Sequence, residues 1–163
     1  MARKVFISQG HDELTKHRLK DFVRDRLKMD AVVLSEQPDL GLTIVEKLEH
    51  YGADCDFALI LLTADDQTSS GGQRARQNVI HELGYFHGRL GRNRVLLLKE
   101  VDVELFFNIS GLIYKEFPRG SVESAFEDVR LAIESGNAAL HAISVPHPTF
   151  RGKPNKARLK TQR

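Results

Sequence analysis

The chain has 163 residues, 41% of them hydrophobic, and a net charge of +2, which suits one domain of ordinary size with one proper core. Its single cysteine, Cys55, excludes an intrachain disulfide framework and a cysteine-based metal cluster within one chain, and it fits a reducing, cytoplasmic setting. No segment approaches a membrane-spanning length, and Met1 to Ser8 carries basic residues with no long apolar run behind them, so neither a membrane anchor nor a signal peptide is expected.

The small net charge hides an asymmetry. From Asn137 to Arg163 there are six basic residues and no acid, while the remainder holds 18 basic against 22 acidic residues. A mildly acidic body, residues 1–136, is thus followed by a basic tail, residues 137–163. Pro146, Pro148, Gly152 and Pro154 break up any apolar periodicity there, and the tail is expected to be mobile. A solubilising role for it outweighs contact with nucleic acid.

Apolar runs then alternate with helical patterns along the body. Lys4 to Ser8 reads as a short buried strand, and His11 to Lys28 as a helix with Leu19, Phe22, Val23 and Leu27 inward. Ala31 to Ser35 is a second strand. Thr43-Ile44-Val45-Glu46 has the form of a capping box, in which the Thr hydroxyl and the Glu carboxylate satisfy free amides at a helix start. The helix it opens is expected to bury Ile44, Val45, Leu48 and Tyr51. Asp56 to Thr63 is continuously apolar, as in a strand covered on both faces. Ala64 to Gln73, with Ser69, Ser70, Gly71 and Gly72, reads as a flexible loop. The next helix carries Glu82 and ends near Gly91. Arg94 to Lys99 and Leu112 to Phe117 are the fourth and fifth strands. A last helix, Ser121 to Glu134, sets Val122, Phe126, Val129 and Ile133 on one face.

Strictly alternating β and α elements predict an α/β protein whose five-stranded parallel sheet has the flavodoxin-like order 2-1-3-4-5 and helices on both faces. Ligands of such sheets bind beyond the carboxyl ends of the strands, at the switch point between the first and third. Three loops converge there: Ser8-Gln9-Gly10-His11-Asp12, Glu36-Gln37-Pro38-Asp39 and Thr63-Ala64-Asp65-Asp66.

One carboxylate stands out. At about 100° per residue, Val79, Leu83, Phe86 and Leu90 share a narrow helical sector, and Glu82 lies roughly 60° to one side of it. Asn78 is one turn below on the same flank. No Lys or Arg three or four residues away can pair with Glu82 along the helix. A partly desolvated carboxylate must be paired, hydrogen-bonded or functional; from position alone, a simple bond to a neighbouring loop backbone is an equal alternative.

Several chemistries fail for want of residues. His81-Glu82 has the start of a zinc-protease helix motif, but Tyr85 stands where a second His is required, and no metal site is expected. There is no Walker phosphate loop, no dinucleotide glycine fingerprint after the first strand and no G-x-S-x-G nucleophile elbow. Gly10 at the first strand-to-helix turn does let the backbone approach a ligand. A phospho-receiver needs an Asp at the end of the third strand and a Ser or Thr after the fourth; Asp65 falls past the strand end and Lys99 occupies the latter place. Cys55, flanked by Asp54 and Asp56, lacks the electropositive surroundings of a reactive thiol. A lone carboxylate in a crevice suits the cleavage of a ribosyl–nitrogen bond, because the transition state resembles a sugar cation that a fixed negative charge stabilises. A pyridinium leaving group such as the nicotinamide of NAD departs neutral and needs no general acid. Asn78 and Arg76 can then hold ribose hydroxyls or phosphates. Composition permits this reaction without selecting it.

The blocks Lys4-Val5-Phe6-Ile7-Ser8-Gln9-Gly10-His11-Asp12-Glu13, Glu36-Gln37-Pro38-Asp39-Leu40-Gly41-Leu42-Thr43-Ile44, Phe57 to Asp66 and Arg74-Ala75-Arg76-Gln77-Asn78 with Glu82-Leu83-Gly84-Tyr85-Phe86 closely resemble a bacterial TIR-like domain family of predicted nucleotide-binding proteins. The resemblance covers about residues 3 to 117, and its most specific part is the block around Glu82. Relatives serve as effectors in cyclic-nucleotide-triggered anti-phage systems, some fused to a sensor domain. The resemblance implies a TIR fold and cleavage of NAD to nicotinamide and an ADP-ribose product, with NAD as substrate rather than cofactor. It places the essential family glutamate on Glu82, and it matches the loops after the first strand (Ser8, Gln9, Gly10, His11) and the second (Gln37, Pro38, Asp39) to segments expected to line the nucleotide site or an assembly contact; with Asp65 of the third loop and with Arg76 and Asn78, the expected substrate-binding set is Ser8, Gly10, His11, Gln37, Asp65, Arg76 and Asn78. It also implies activity that awaits self-association into an oligomer or filament. Where relatives often carry Pro-Ser-Asp before the fifth strand, this chain has Phe106-Phe107-Asn108-Ile109-Ser110-Gly111, so Asn108 keeps hydrogen-bonding capacity without the charge. The residues after Gly136 are too few for a sensor, which a separate protein or a fused domain would then supply. Two alternatives stay open: a non-catalytic TIR module that scaffolds assemblies or binds a nucleotide, and an N-glycosidase acting on another nucleoside or nucleotide.

Overall fold

Alternate residues of the central strands serve two cores at once. In a computed structural model of the chain, which describes residues 3–8, 10–64, 66–67, 73–74, 77–104, 112 and 114–142, strand β3 (Phe57–Leu62) is buried along its whole length. Phe57, Leu59 and Leu61 face one way, and Ala58, Ile60 and Leu62 the other. It lies at the middle of a five-stranded sheet whose order is β2-β1-β3-β6-β8. The other strands are β1 (Lys4–Ser8), β2 (Asp30–Val32), β6 (Val95–Glu100) and β8 (Tyr114–Phe117). Every pairing in it is parallel, with Val5 opposite both Ala31 and Phe57, Ala58 opposite Val95, and Leu97 opposite Tyr114. In chain order of the five strands this is the expected 2-1-3-4-5, and the near-continuous apolar character of β3 and β6 is what burial on both faces requires.

Helices α1 (Glu13–Asp21) and α4 (Phe126–Ala142) cover one face through Leu19, Val129 and Ile133, packed on Val5, Ile7, Leu59 and Leu98. Helices α2 (Ile44–Gly52) and α3 (Gln77–Leu90) cover the other, where Leu48, Val79, Leu83, Phe86 and Leu90 meet Phe6, Ile60, Leu62 and Leu97. Phe6 and Phe86 pack with ring centroids 4.4 Å apart. Burying a ring of that size stabilises the fold by about 3 kcal/mol. Gly91, at φ +75°, ends α3 and donates its N–H to the His87 carbonyl.

Several expectations need correction. The first helix begins at Glu13, because the Asp12 carboxylate caps it by accepting from the Thr15 amide at 3.0 Å and the Thr15 hydroxyl at 2.6 Å. Its far end widens into a π turn, Phe22–Arg26, closed by the Leu27 N–H on the Phe22 carbonyl, and is broken by Lys28 at φ +56°. β2 is shorter than the run Ala31–Ser35, since Leu34–Glu36 form a 3-10 turn. In the Ala64–Gln73 stretch, β4 (Asp66–Gln67) pairs with β5 (Gln73–Arg74), which pairs with β7 (Val103–Glu104). Strands of two residues have no periodicity to read. The last helix runs past Gly136 to Ala142, into residues assigned to the tail. Most consequential is α2. Ile44 and Val45, expected inside, are 67% and 46% exposed, and the buried positions are Lys47, Leu48 and Gly52. The helix is rotated so that a lysine replaces two aliphatic side chains at the inner boundary. Among the described residues, no helix is long and apolar enough to cross a membrane.

Candidate active site

Packing of the α3 stripe fixes the position of Glu82. Val79, Leu83, Phe86 and Leu90 are all buried against the sheet, so Glu82 is held at the edge of that contact, partly buried. It lines a cavity of about 250 Å³ beyond the carboxyl ends of β1 and β2, with Ile7 and Gly10 from β1 and its loop, Asp39 and Leu42 from the loop after β2, Lys47 from α2, and Asn78 one turn below Glu82. The cavity therefore opens on the β1–β2 side of the sheet's switch point.

Burial pushes the Glu82 carboxyl up to about 7, and the Ser8 hydroxyl opposes this by favouring the ionised form. That hydroxyl lies within hydrogen-bonding influence of the carboxyl, although, among the described residues, Ser8 Oγ and Glu82 Oε2 are both buried without a partner of full hydrogen-bond geometry. An unsatisfied buried polar atom is costly, and on the cavity wall Glu82 Oε2 is relieved by a ligand that brings hydroxyls or positive charge.

The loop after β2 forms the outer wall. Leu40 at φ +51° and Gly41 at φ +73° make its turn, and the Leu42 N–H donates to the Asp39 carbonyl at 2.8 Å. The Tyr51 hydroxyl donates to the Pro38 carbonyl at 3.0 Å, and Lys47 Nζ donates to Asp39 Oδ1 at 2.7 Å. The expected capping box is present: the Thr43 hydroxyl accepts from the Glu46 N–H, and the Glu46 carboxylate accepts from the Thr43 N–H at 2.8 Å.

The structure thus brings Ser8, Gly10, Asn78 and Glu82 together. Gln37 is turned away, donating its side-chain amide to the Val33 carbonyl at 3.3 Å. His11 lines a second cavity of about 230 Å³ on the other side of the β1 loop, with Asp12, Thr63, Ala64, Glu100 and Arg119. Asp65, Arg76 and Asn108 lie outside the described residues. Lys47 was missed by sequence reasoning, because the apolar stripe read for α2 took Ile44 and Val45 as its inward positions and both are exposed. Glu100 was also missed: it ends β6 buried, accepting the Ala64 N–H at 3.0 Å through Oε2. Cys55 is buried, and burial pushes its thiol up to about 12, so it is inert as a nucleophile at neutral pH. Among the described residues, no group of three His, Cys, Asp or Glu is disposed to hold a metal ion.

Comparison with known proteins gives this geometry a family. The chain is 42% identical over 121 residues to the YuaY protein of Escherichia coli K12, covering 71% of this chain and 40% of that protein. It is 40% identical over 110 residues to the Pycsar effector protein BcPycTIR of Burkholderia cepacia, covering 61% and 36%. It is 25% identical over 125 residues to CD-NTase-associated protein 12 of Sphingobacterium faecium, covering 74% and 38%. The chain therefore spans well under half the length of these curated relatives. The family profile described as CAP12/Pycsar effector protein, TIR domain, matches residues 4–119, and the chain belongs to that TIR domain family.

Proposed function

We propose that this TIR domain is an NAD glycohydrolase, an effector of anti-phage defence that cleaves the nicotinamide–ribose bond in the cytoplasm. The observation that carries the proposal is the partly buried Glu82 on the cavity wall, its Oε2 buried without a partner and the Ser8 hydroxyl set against its carboxyl. A ribose hydroxyl of a nicotinamide riboside unit supplies Glu82 with its missing partner, and its pyridinium supplies the missing charge. Heterolysis of the C1′–N bond sends the electron pair to the ring nitrogen, and nicotinamide leaves neutral. The cationic charge left on the ribosyl group is stabilised by ionised Glu82. Water adds at C1′ and gives up a proton, for which a carboxylate with a pKa of about 7 is an apt acceptor. NAD enters as substrate rather than as a resident cofactor.

A cavity of about 250 Å³ falls below the 300–1,000 Å³ of typical small-molecule pockets. It suits the nicotinamide riboside half of a dinucleotide, which leaves the adenosine half for a neighbouring surface. Leu40, Ile44 and Val45 are exposed on or beside the cavity wall, and their apolar surface favours completion of the site by self-association under a sensor's control. The same exposed surface also favours the second reading, a non-catalytic assembly module. Incubation of concentrated, clustered protein with NAD separates the two. Nicotinamide release that Glu82→Gln abolishes, with folding retained, supports the enzyme; intact NAD with folded, clustered protein refutes it in favour of the module.

A further inference from the structure

Lys47 is a cation in an unusual place. It is 8% exposed, on the wall of the Glu82 cavity. Among the described residues its one ion pair is with Asp39, whose side chain is 85% exposed. Removing an ammonium from water is costly unless its partners are good. Here a buried cation leans on a carboxylate that is itself almost fully hydrated, through one of its three donors. An exposed acid loses little by swinging back into water, whereas the lysine has no such recourse. The pair is built so that Asp39 can be exchanged for another anion.

The cavity is also dipolar. Glu82 supplies the negative pole and Lys47 the positive one, with apolar Ile7, Val33 and Leu42 among the wall residues they share. A dinucleotide of the NAD type carries a pyridinium and a diphosphate separated by one ribose, the complementary pattern. We infer that Lys47 takes the diphosphate of the substrate, with the Asp39 carboxylate as the internal stand-in it displaces, so that the cavity selects phosphorylated nucleosides over nicotinamide riboside. This rests on the dinucleotide reading of the site, but it concerns binding and is measured without turnover. A simple latch that pins the loop after β2 is the competing role for the same ion pair, and it predicts the opposite effect of removing Asp39.

The test is titration calorimetry with ADP-ribose and with nicotinamide riboside, using the full chain in a Glu82→Gln background so that no ligand is consumed. Lys47→Gln is expected to weaken ADP-ribose at least tenfold and to leave nicotinamide riboside within about twofold. Lys47→Arg is expected to recover most of the ADP-ribose affinity, which guards against a folding defect. Asp39→Asn is expected to tighten ADP-ribose severalfold, because the competing anion is gone. Equal loss of both ligands in Lys47→Gln, weaker ADP-ribose binding in Asp39→Asn, or no ADP-ribose binding by the parent overturns the inference. Lys47-dependent ADP-ribose binding by a protein that leaves NAD intact keeps the inference and removes the glycohydrolase.

Discussion

Replacing Glu82 by Gln is expected to stabilise the folded protein at alkaline pH and to leave it unchanged in acid. The carboxyl titrates near 4.5 when unfolded and is pushed up to about 7 by burial in the fold. Between those values the unfolded chain gives up a proton that the folded chain keeps, so stability falls as pH rises and the loss is complete above about pH 7. At about 1.4 kcal/mol per unit the full shift corresponds to roughly 3 kcal/mol. Part of the side chain remains exposed, and discounting for solvent screening halves this to about 1.5 kcal/mol. Gln keeps the shape and hydrogen-bonding capacity without the charge, so the variant escapes the penalty. Urea unfolding of both proteins from pH 4 to pH 8.5 measures it. The curves should coincide near pH 4 and separate by about 1.5 kcal/mol at pH 8.5, a difference of several degrees in Tm for a domain of this size. All other titrating groups are common to the two proteins and cancel. Parallel curves across the range would mean that the carboxylate ionises in the fold as it does in water, and the desolvated-glutamate mechanism would fall with them.

Under the proposed glycohydrolase activity, the same titration is expected to govern turnover. For NAD, kcat/KM is expected to fall about tenfold per unit below pH 7 and to level off above it, since the ionised carboxylate is the competent form; a profile flat from pH 5 to pH 8 contradicts the role given to Glu82. Gly136→Ala should destabilise the domain by about 1–3 kcal/mol, because a Cβ there would meet the Asn93 carbonyl oxygen at 2.7 Å and the Phe57 ring at 3.1 Å; a neutral result in thermal melts would show that α4 is free to shift away from the Arg92–Arg94 turn.

Much of this molecule is written locally. The continuous apolar runs of β3 and β6 announce strands covered on both faces, the regular β–α alternation dictates the parallel order, and Thr43 with Glu46 marks the start of α2. The stripe Val79, Leu83, Phe86 and Leu90 locates Glu82 at the core boundary without reference to any other element. Each of these signals depends on neighbours within one or two helical turns, where side-chain periodicity fixes the geometry.

Only the tertiary structure decided which distant groups meet. Ser8 comes up against Glu82 because β1 lies beneath α3, and the buried, unpartnered oxygen on each is a property of that packing. The rotation of α2 about its own axis, which turns Lys47 inward and leaves Ile44 and Val45 outside, is set by contact with the sheet rather than by its own amphipathic pattern. The division of the β1 loop between two cavities, with Gly10 on one side and His11 on the other, follows from the chain's path over the strand ends. Hydrophobic periodicity tells a segment what to bury, whereas close packing alone chooses what it is buried against.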